Sequence, residues 1–278
     1  AELGLEVFCP VGADGHYEEA GGRYAGEFVK DANEAIVADL DANGALALAE
    51  ADHQIDEGQC WRCDTEIVRT VTDQWFISVS EIKDELLANI DDTEWHPQSA
   101  RDNRFRKFVE NSPDWNVSRQ RYWGTPLPIW TPDGWDGDME EVLVFGTRAA
   151  LAEAADQDVD PETMDLHRPT VDGLTITRDG STYRRVADVF DVWIDSSVAS
   201  WATVDYPGEQ ESFDRRWPAD LIMEAHDQTR GWFWSQLGMG SAAFERAPYE
   251  QVLMHGWALA ADGRKMSKSL GNIVSPAE

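Results

Sequence analysis

The sequence is poor in basic residues, and above all in lysine. It contains 23 lysines and arginines against 53 acidic residues, a formal net charge of −30, and only five of the 23 are lysines. Proteins that bind polyanions normally present a basic surface, so two alternatives remain open. Either the partner is not a polyanion, or the protein works in molar salt, where the screening length falls to about 3 Å. The acidic residues are spread along the whole chain, which favours a salt-adapted surface.

Cysteine and long apolar runs are scarce as well. The three cysteines, Cys9, Cys60 and Cys63, are too few for a secreted disulfide framework and favour a reducing compartment. No run of residues approaches the length of a membrane span, and no signal peptide opens the sequence. P-loop, GxSxG and HExxH motifs are absent, so P-loop NTPases, α/β-hydrolases and zincins lack support. We therefore expect a cytoplasmic protein with neither a membrane nor DNA as its partner.

The apolar residues that are present indicate a folded protein. Hydrophobic residues make up 42% of the 278 positions, and thirteen of them are tryptophans, which argues against a disordered acidic tail. This length suits one large domain or two ordinary ones. The sequence opens in mid-pattern with "AELGLEVF" and ends equally abruptly, so we expect a segment of a longer polypeptide.

Local patterns predict alternating helices and strands. An amphipathic helix is expected to end at Gly44, followed by a strand over 45–53, and a second helix is expected in "VSEIKDELLANI". The stretch "VADVFDVWID", residues 186–195, predicts a buried strand. Two further short strands are expected at Leu221–Glu224 and Val252–His255. Short apolar strands that alternate with helices are typical of a parallel α/β sheet.

A parallel sheet binds its ligands beyond the carboxyl ends of its strands. The last two predicted strands bring five polar or turn-forming residues to that edge, namely Glu224, Asp227, Gln228, His255 and Gly256. The segment "RKMSKSLGNI" follows directly, and it contains Lys265 and Lys268 three positions apart. Two ammonium groups on one loop can neutralise phosphate oxygens that gain charge during transfer. The alternative is an exposed basic loop without such a role.

Four motifs carry a family resemblance. "KMSKS" after "HGWALAADG" resembles the corresponding loop of class I aminoacyl-tRNA synthetases, and "DLIMEAHDQTRGWF", "WNVSRQRYWGTPLPIW" and "DVWIDSS" resemble the archaeal type of isoleucyl-tRNA synthetases. The resemblance covers nearly the whole chain and is weakest from 131 to 185. It implies an α/β fold, the carboxyl-terminal half of a Rossmann-type parallel sheet, with the tail of a β-rich editing insertion and a small connective insertion. The implied segments are a remnant of the editing insertion at 1–55, the return into the catalytic domain at 56–130, an acidic connective insertion at 131–185, and the second half of the Rossmann domain at 186–278.

The resemblance also implies a reaction and its residues. The implied activity is that of an isoleucine-tRNA ligase, in which isoleucine is activated with ATP and Mg²⁺ and then transferred to tRNA(Ile). Lys265 and Lys268 would be catalytic, and Trp193 and Trp232 would line the pocket for the amino-acid side chain. The implied ATP and adenylate contacts are Glu224, Asp227, Gln228, His255, Gly256, Met266, Ser267 and Ser269.

Alternative functions remain open beside this one. The chain could come from a valine- or leucine-specific relative, or from a synthetase-derived module that binds nucleotide or tRNA without catalysis. None of the six histidines falls in an HxGH or HxxH pattern, which forms the family's other nucleotide motif. The editing site and the anticodon-binding domain are not identified either. We therefore expect little or no activity from the chain alone.

Two motifs leave their role open. Cys60 and Cys63 in "CWRC" have the spacing of half a tetrahedral zinc site, and His53 is a candidate third ligand. The alternative for this pair is two thiols that hold no metal. Arg119 and Arg121 in "SRQRYWG" either contact tRNA or ATP, or brace the catalytic domain.

Overall fold

The computed structural model describes residues 8–50, 53–54, 56–60, 63–68, 70–261, 263–264, 266 and 271–274. The chain divides into two compact units, Ala1–Asp73 and Gln74–Glu278. The four segments implied by the family resemblance do not correspond to these two compact units, and their boundaries stay predictions.

The first unit has few regular elements in its described residues. They are a 3-10 helix at Glu19–Tyr24 and an α-helix, α1, at Asn33–Ala42. The helix is followed by Gly44, whose φ of +67° suits a residue without a Cβ. The strand expected over 45–53 is wrong, because the described residues of that stretch adopt no strand and pair with no neighbour. An alternating pattern needs a second strand to hydrogen-bond with, and no described residue pairs with this segment.

The second unit contains all the named strands of the described chain. The α-helices are α2 (Lys83–Asp91), α3 (Gln98–Ala100), α4 (Arg106–Glu110), α5 (Arg148–Ala154), α6 (Val192–Ser197), α7 (Ala199–Ala202), α8 (Gln210–Arg216) and α9 (Trp232–Phe244). The strands are β1 (Phe76–Ile77), β2 (Glu94–His96), β3 (Trp115–Asn116), β4 (Ser118–Arg119), β5 (Ile129–Pro132), β6 (Leu143–Val144), β7 (Thr175–Arg178), β8 (Ser181–Arg185), β9 (Val189–Phe190), β10 (Ala219–Ala225) and β11 (Tyr249–His255). A π-helical turn at Arg101–Phe105 joins α3 to α4, and 3-10 turns occupy Met139–Glu141, Val171–Gly173 and His226–Arg230. No helix in the described ranges has both the length and the hydrophobicity needed to cross a bilayer.

A parallel sheet organises the second unit. Its strand order is β10–β11–β2, and both pairings are parallel, as predicted for the last two strands. The predicted strands at Leu221–Glu224 and Val252–His255 are confirmed and are longer than expected. Their register aligns Ala225 with His255, so β10 and β11 end at the same edge.

The two faces of this sheet differ in their burial. Ile222, Val252 and Trp95 point to one face and are buried in a core that includes residues of α2 and α9. On the opposite face, Leu221, Met223 and Leu253 are exposed. Met223 and Leu253 are direct neighbours across the two strands. The described residues therefore cover only one side of the sheet.

The second unit has a second apolar core, which is formed by residues between Trp130 and Tyr183. Strands β5 to β8 form an antiparallel sheet in the order β6–β5–β8–β7. Trp130, Ile176 and Tyr183 from this sheet are buried together with Leu151 of α5. The Thr147 hydroxyl caps α5 by accepting the Ala150 N–H at 3.1 Å. This acidic stretch is thus an ordered small sheet with its own apolar centre.

The buried strand predicted over 186–195 is only partly correct. Strand β9 covers Val189–Phe190, and the chain then turns into α6. Asp191 ends the strand because its carboxylate accepts the Trp193 N–H at 3.2 Å and so caps the helix. Trp193 consequently projects from a helix and not from a strand.

Candidate active site at the carboxyl ends of the parallel strands

The carboxyl ends of β10 and β11 bring together the polar residues that the sequence predicts there. Glu224 is aligned with Met254, and His255 ends β11 one position later, directly before Gly256. The side chains of Glu224 and His255 are exposed, and the His255 Nδ1 lies 2.6 Å from the Gly256 carbonyl oxygen. This edge therefore presents a carboxylate and an imidazole to solvent, where parallel sheets bind their ligands.

Hydrogen bonds of the Thr229 side chain hold the turn after β10. Thr229 is completely buried, and its hydroxyl donates to the His226 carbonyl oxygen at 2.9 Å. The same hydroxyl accepts the Arg104 Nε–H at 3.1 Å. These two bonds fix the turn that carries Asp227, which is exposed, and Gln228, which is partly buried. Sequence patterns gave no signal for the bond between Arg104 and Thr229.

Gln228 closes the start of helix α9. Its Oε1 accepts the Trp232 N–H at 2.8 Å, one of the helix N–H groups that lack a partner within the helix. Gly231 allows this closure, since a Cβ at that position would lie 2.7 Å from the Gln228 Oε1. The same Cβ would lie 3.2 Å from the Trp193 ring. The side-chain oxygen of Gln228 is therefore already hydrogen-bonded. Gln228, Gly231 and Trp193 lie close together and form a compact corner at the start of α9.

Two tryptophans predicted to line a side-chain pocket lie at this corner. The Trp232 Nε1–H donates to the Ser196 carbonyl oxygen at 3.0 Å, which ties α9 to α6. Trp193, on α6, keeps 38% of its surface exposed beside Gly231. The structure thus brings the two indoles to the same end of α9, with one partly buried and one open to solvent.

Arg119 braces this arrangement. Its guanidinium donates to the Asp191 carboxylate at 2.7 Å and to the Ser118 carbonyl oxygen at 2.8 Å. Asp191 is buried and also caps α6, so one carboxylate joins β4 to the helix that carries Trp193. These bonds support the bracing interpretation for Arg119, and a contact of Arg119 with tRNA or ATP stays a prediction. An aspartate directly before a helical stretch is a typical N-cap, and this signal was present in "DVWID".

The lysine loop is described only in part. Lys265, Lys268, Ser267 and Ser269 lie outside the described residues, whereas Met266 is described and partly buried. Before the loop, the Ala260 N–H donates to the Arg264 carbonyl oxygen at 2.9 Å and forms a tight turn. The His226 ring lies 4.5 Å from the Trp257 ring, so the segment that leads to the loop starts against the turn after β10.

Cys60 and Cys63 lie in the first unit. The Cys60 N–H donates to the Thr65 carbonyl oxygen at 2.8 Å, and Cys63 Sγ lies 3.2 Å from the Thr65 hydroxyl. Hydrogen bonds from Thr65, and then from Cys60, hold the pKa of the Cys63 thiol below its usual value. Within the described part of the chain, no group of three or more His, Cys, Asp or Glu side chains is arranged to hold a metal ion. His53 lies 3.3 Å from Glu50 and does not complete such a group.

The chain belongs to the family described as tRNA synthetases class I (I, L, M and V), whose model matches residues 26–278. Among characterised proteins, it is 70% identical over 277 residues to the isoleucine–tRNA ligase of Natronomonas pharaonis. It is 66% identical to the isoleucine–tRNA ligases of Haloarcula marismortui and Halobacterium salinarum, over 277 and 278 residues. Each match covers 100% of this chain and 26% of the relative, so the chain spans about a quarter of the length of these proteins.

Proposed function

We propose that the protein containing this chain is an isoleucine–tRNA ligase. The observation that supports this most strongly is the 70% identity to the ligase of Natronomonas pharaonis over the whole chain. Membership of the class I family agrees with it, since that family includes the isoleucine enzymes. A cytoplasmic enzyme adapted to high salt also agrees with the net charge of −30.

The proposed reaction has two steps. The carboxylate of isoleucine attacks the α-phosphate of ATP, the bond to the leaving pyrophosphate breaks, and isoleucyl-adenylate forms. The isoleucyl group is then transferred to a ribose hydroxyl at the end of tRNA(Ile). An ester bond to the ribose oxygen forms, the bond between the carboxyl carbon and the AMP oxygen breaks, and AMP and the hydroxyl proton are released. Mg²⁺ accompanies ATP and neutralises phosphate oxygens when bound. Lys265 and Lys268 are proposed to stabilise the charge that develops on the pyrophosphate.

The residues at the sheet edge are proposed to hold the adenylate. Glu224, Asp227 and His255 are exposed there, and internal hydrogen bonds fix the turn that carries Asp227 and Gln228. Gly256, Met266, Ser267 and Ser269 complete the proposed contacts. Trp193 and Trp232 are proposed to flank the isoleucine side chain, which is supported by their common position beside Gly231.

Zinc binding at Cys60 and Cys63 is a weaker part of the proposal. The lowered pKa of Cys63 favours the thiolate that zinc requires. Two thiolates supply half of a tetrahedral site, and the described residues offer no further ligand group. The pair therefore fits zinc only if two more ligands come from residues outside those described.

Amino-acid-dependent ATP–pyrophosphate exchange by the complete protein tests this function. Isoleucine should support exchange, whereas preference for valine or leucine would assign the chain to a relative with another substrate. Lys268→Ala should lower exchange about 100-fold while isoleucine binding changes little. Lys107→Ala removes an exposed lysine from α4 and serves as the matched control. No exchange with any of the three amino acids would favour the non-catalytic binding module.

A further inference from the structure

Two large aromatic side chains are exposed side by side on one loop of the second unit. Tyr122 and Trp123 belong to the "SRQRYWG" segment and retain 61% and 67% of their surface. The following residue, Gly124, has a φ of +159°, and a Cβ there would lie 3.0 Å from the Val189 side chain. The loop is therefore pressed against β9, and it holds its two aromatic rings outward.

Neighbouring side chains fix the orientation of both rings. The Trp123 ring stacks on the His167 ring with centroids 4.8 Å apart and an interplanar angle of 2°. The guanidinium of Arg168 lies 5.1 Å from the centre of the Tyr122 ring and donates to the Arg121 carbonyl oxygen at 3.2 Å. We call Tyr122, Trp123, His167 and Arg168 the aromatic platform.

Carboxylates in turn hold His167 and Arg168 of the platform. His167 Nδ1 lies 2.8 Å from the Asp165 carboxylate, and the Arg168 Nε–H donates to Asp172 at 2.6 Å. Asp172 also accepts the Nε–H of the buried Arg185 at 2.7 Å. The platform is thus anchored to strand β8. Side-chain contacts therefore hold its exposed rings in fixed positions.

Ordered, exposed aromatic rings beside a guanidinium are the elements that bind unpaired nucleobases. The surrounding chain is strongly acidic, with 53 acidic against 23 basic residues. Phosphate contacts weaken steeply as salt rises, because the entropy gained by releasing counterions falls as the bulk salt concentration increases. Stacking depends on ring contact and burial of apolar surface, which screening by salt does not weaken. Stacking is therefore the mode of RNA recognition best suited to a chain of this charge.

We propose that the aromatic platform stacks an unpaired nucleobase of the tRNA, with Trp123 as the main contact. The inference rests on the proposed function, which makes tRNA the substrate, and it names a contact outside the residues assigned to ATP and isoleucine. The platform binds the base through its π-face, so it fixes the position of the RNA without selecting its sequence.

Steady-state kinetics of the complete protein in molar KCl test the proposal. Trp123→Ala should raise the KM for tRNA in aminoacylation by roughly 5- to 150-fold, because loss of one stacked base weakens binding by about 1–3 kcal/mol. Isoleucine-dependent exchange without tRNA should not change. Trp123→Phe, which keeps an aromatic face, should restore most of the affinity. Trp135→Ala removes a tryptophan stacked on Trp75 elsewhere in the unit and should leave the KM for tRNA as it is.

Three results would overturn the proposal. One is an unchanged KM for tRNA in Trp123→Ala. A second is an equal loss of exchange and aminoacylation, which would assign Trp123 a structural role. The third is a loss that disappears as KCl is raised, since that would indicate a charge contact.

The proposed function can fail separately. Absence of isoleucine-dependent exchange in the wild-type protein would reject that function alone. The platform would then be judged by the anisotropy of a labelled single-stranded RNA. Weaker binding by Trp123→Ala than by wild type and Trp135→Ala would support it, and equal binding by all three would overturn it.

Discussion

At the scale of single residues, the candidate site depends on the buried carboxylate of Asp191, which is not proposed to contact ATP or isoleucine. Asp191 caps α6 through one oxygen and accepts the Arg119 guanidinium through the other. The cap fixes the first turn of α6, and the ion pair fixes that turn against β4. Trp193 lies in that turn, so the two hydrogen bonds that Asp191 accepts fix the position of its backbone.

Substitutions at Asp191 can separate these two roles. Asp191→Ala removes both and should lower the free energy of unfolding by about 2 kcal/mol, roughly half from the cap and half from the charged hydrogen bond. Asp191→Asn keeps a good capping side chain and should lose only about 1 kcal/mol. Urea unfolding followed by tryptophan fluorescence in constant molar KCl measures both values. Equal stabilities for the two variants would show that the cap contributes nothing.

The residues of the site differ in how far the sequence predicts them. Glu224 and His255 follow from two short apolar strands, because the carboxyl ends of parallel strands meet at one edge. The contact between Arg104 and Thr229 joins residues 125 positions apart and has no local pattern. Such a bond depends on how the helix containing Arg104 packs against the turn, which periodicity does not encode.

At the scale of secondary structure elements, local patterns predict some strands correctly and fail where a partner or a cap decides the structure. The strands predicted over 45–53 and 186–195 are of the second kind. Strands β10 and β11 were predicted because their apolar runs are bounded by turn residues. The stretch over 45–53 has a strand-like alternation but no neighbouring strand among the described residues, and the pairing partner decides whether such a segment becomes a strand. In 186–195, a capping aspartate in the middle of an apolar run converted the second half into α6.

One carboxylate also connects elements around the small antiparallel sheet. Asp172, in the 3-10 turn before β7, accepts hydrogen bonds from Arg168 and from Arg185 of β8. Burial alone would raise the pKa of the Asp172 carboxyl, but the hydrogen bonds and charges of these two arginines outweigh it, and the net pKa lies below the usual value. The ionised carboxylate therefore stabilises the folded form.

The lowered pKa of Asp172 predicts a pH-dependent contribution to stability. A depressed pKa in the folded state means that the contribution is present above the unfolded pKa of about 4 and is lost as pH falls through the folded value. Asp172→Asn should therefore be less stable than wild type at neutral pH, with a difference that shrinks below pH of about 4. Urea midpoints across this range measure it.

A matched control for this measurement is Asp179→Asn, which removes a carboxylate that is 91% exposed. Its curve should run parallel to that of wild type. A constant difference between Asp172→Asn and wild type at every pH would reject the proposed linkage.

At the scale of the whole molecule, the net charge of −30 acts on the folded state as self-repulsion. The ion pairs of the described residues are mostly between exposed or partly exposed groups, such as Arg184 with Asp133 at 3.0 Å. Pairs of this kind contribute little, so they do not offset the excess of acid. Screening by dissolved salt is the remaining way to reduce the repulsion.

The chain should therefore become more stable as salt is raised. The free energy of unfolding should increase between about 0.1 M and about 1 M KCl, over which the screening length falls from about 10 Å to about 3 Å. NaCl at the same ionic strength should give the same curve, because screening does not depend on the identity of the cation. Midpoints of thermal unfolding measure the trend. A flat curve would contradict it, and a response to KCl alone would indicate specific ion binding.

The described residues leave one face of the parallel sheet exposed, and this face adds a second effect of salt. Leu221, Met223 and Leu253 form an apolar strip on that face. At low salt, the negative charges of two copies keep such strips apart. Once the charges are screened, nothing electrostatic opposes contact between them, and the free energy gained by removing apolar surface from water remains. We therefore expect the colloidal stability of the chain in solution to be lowest under the ionic conditions in which its fold is most stable.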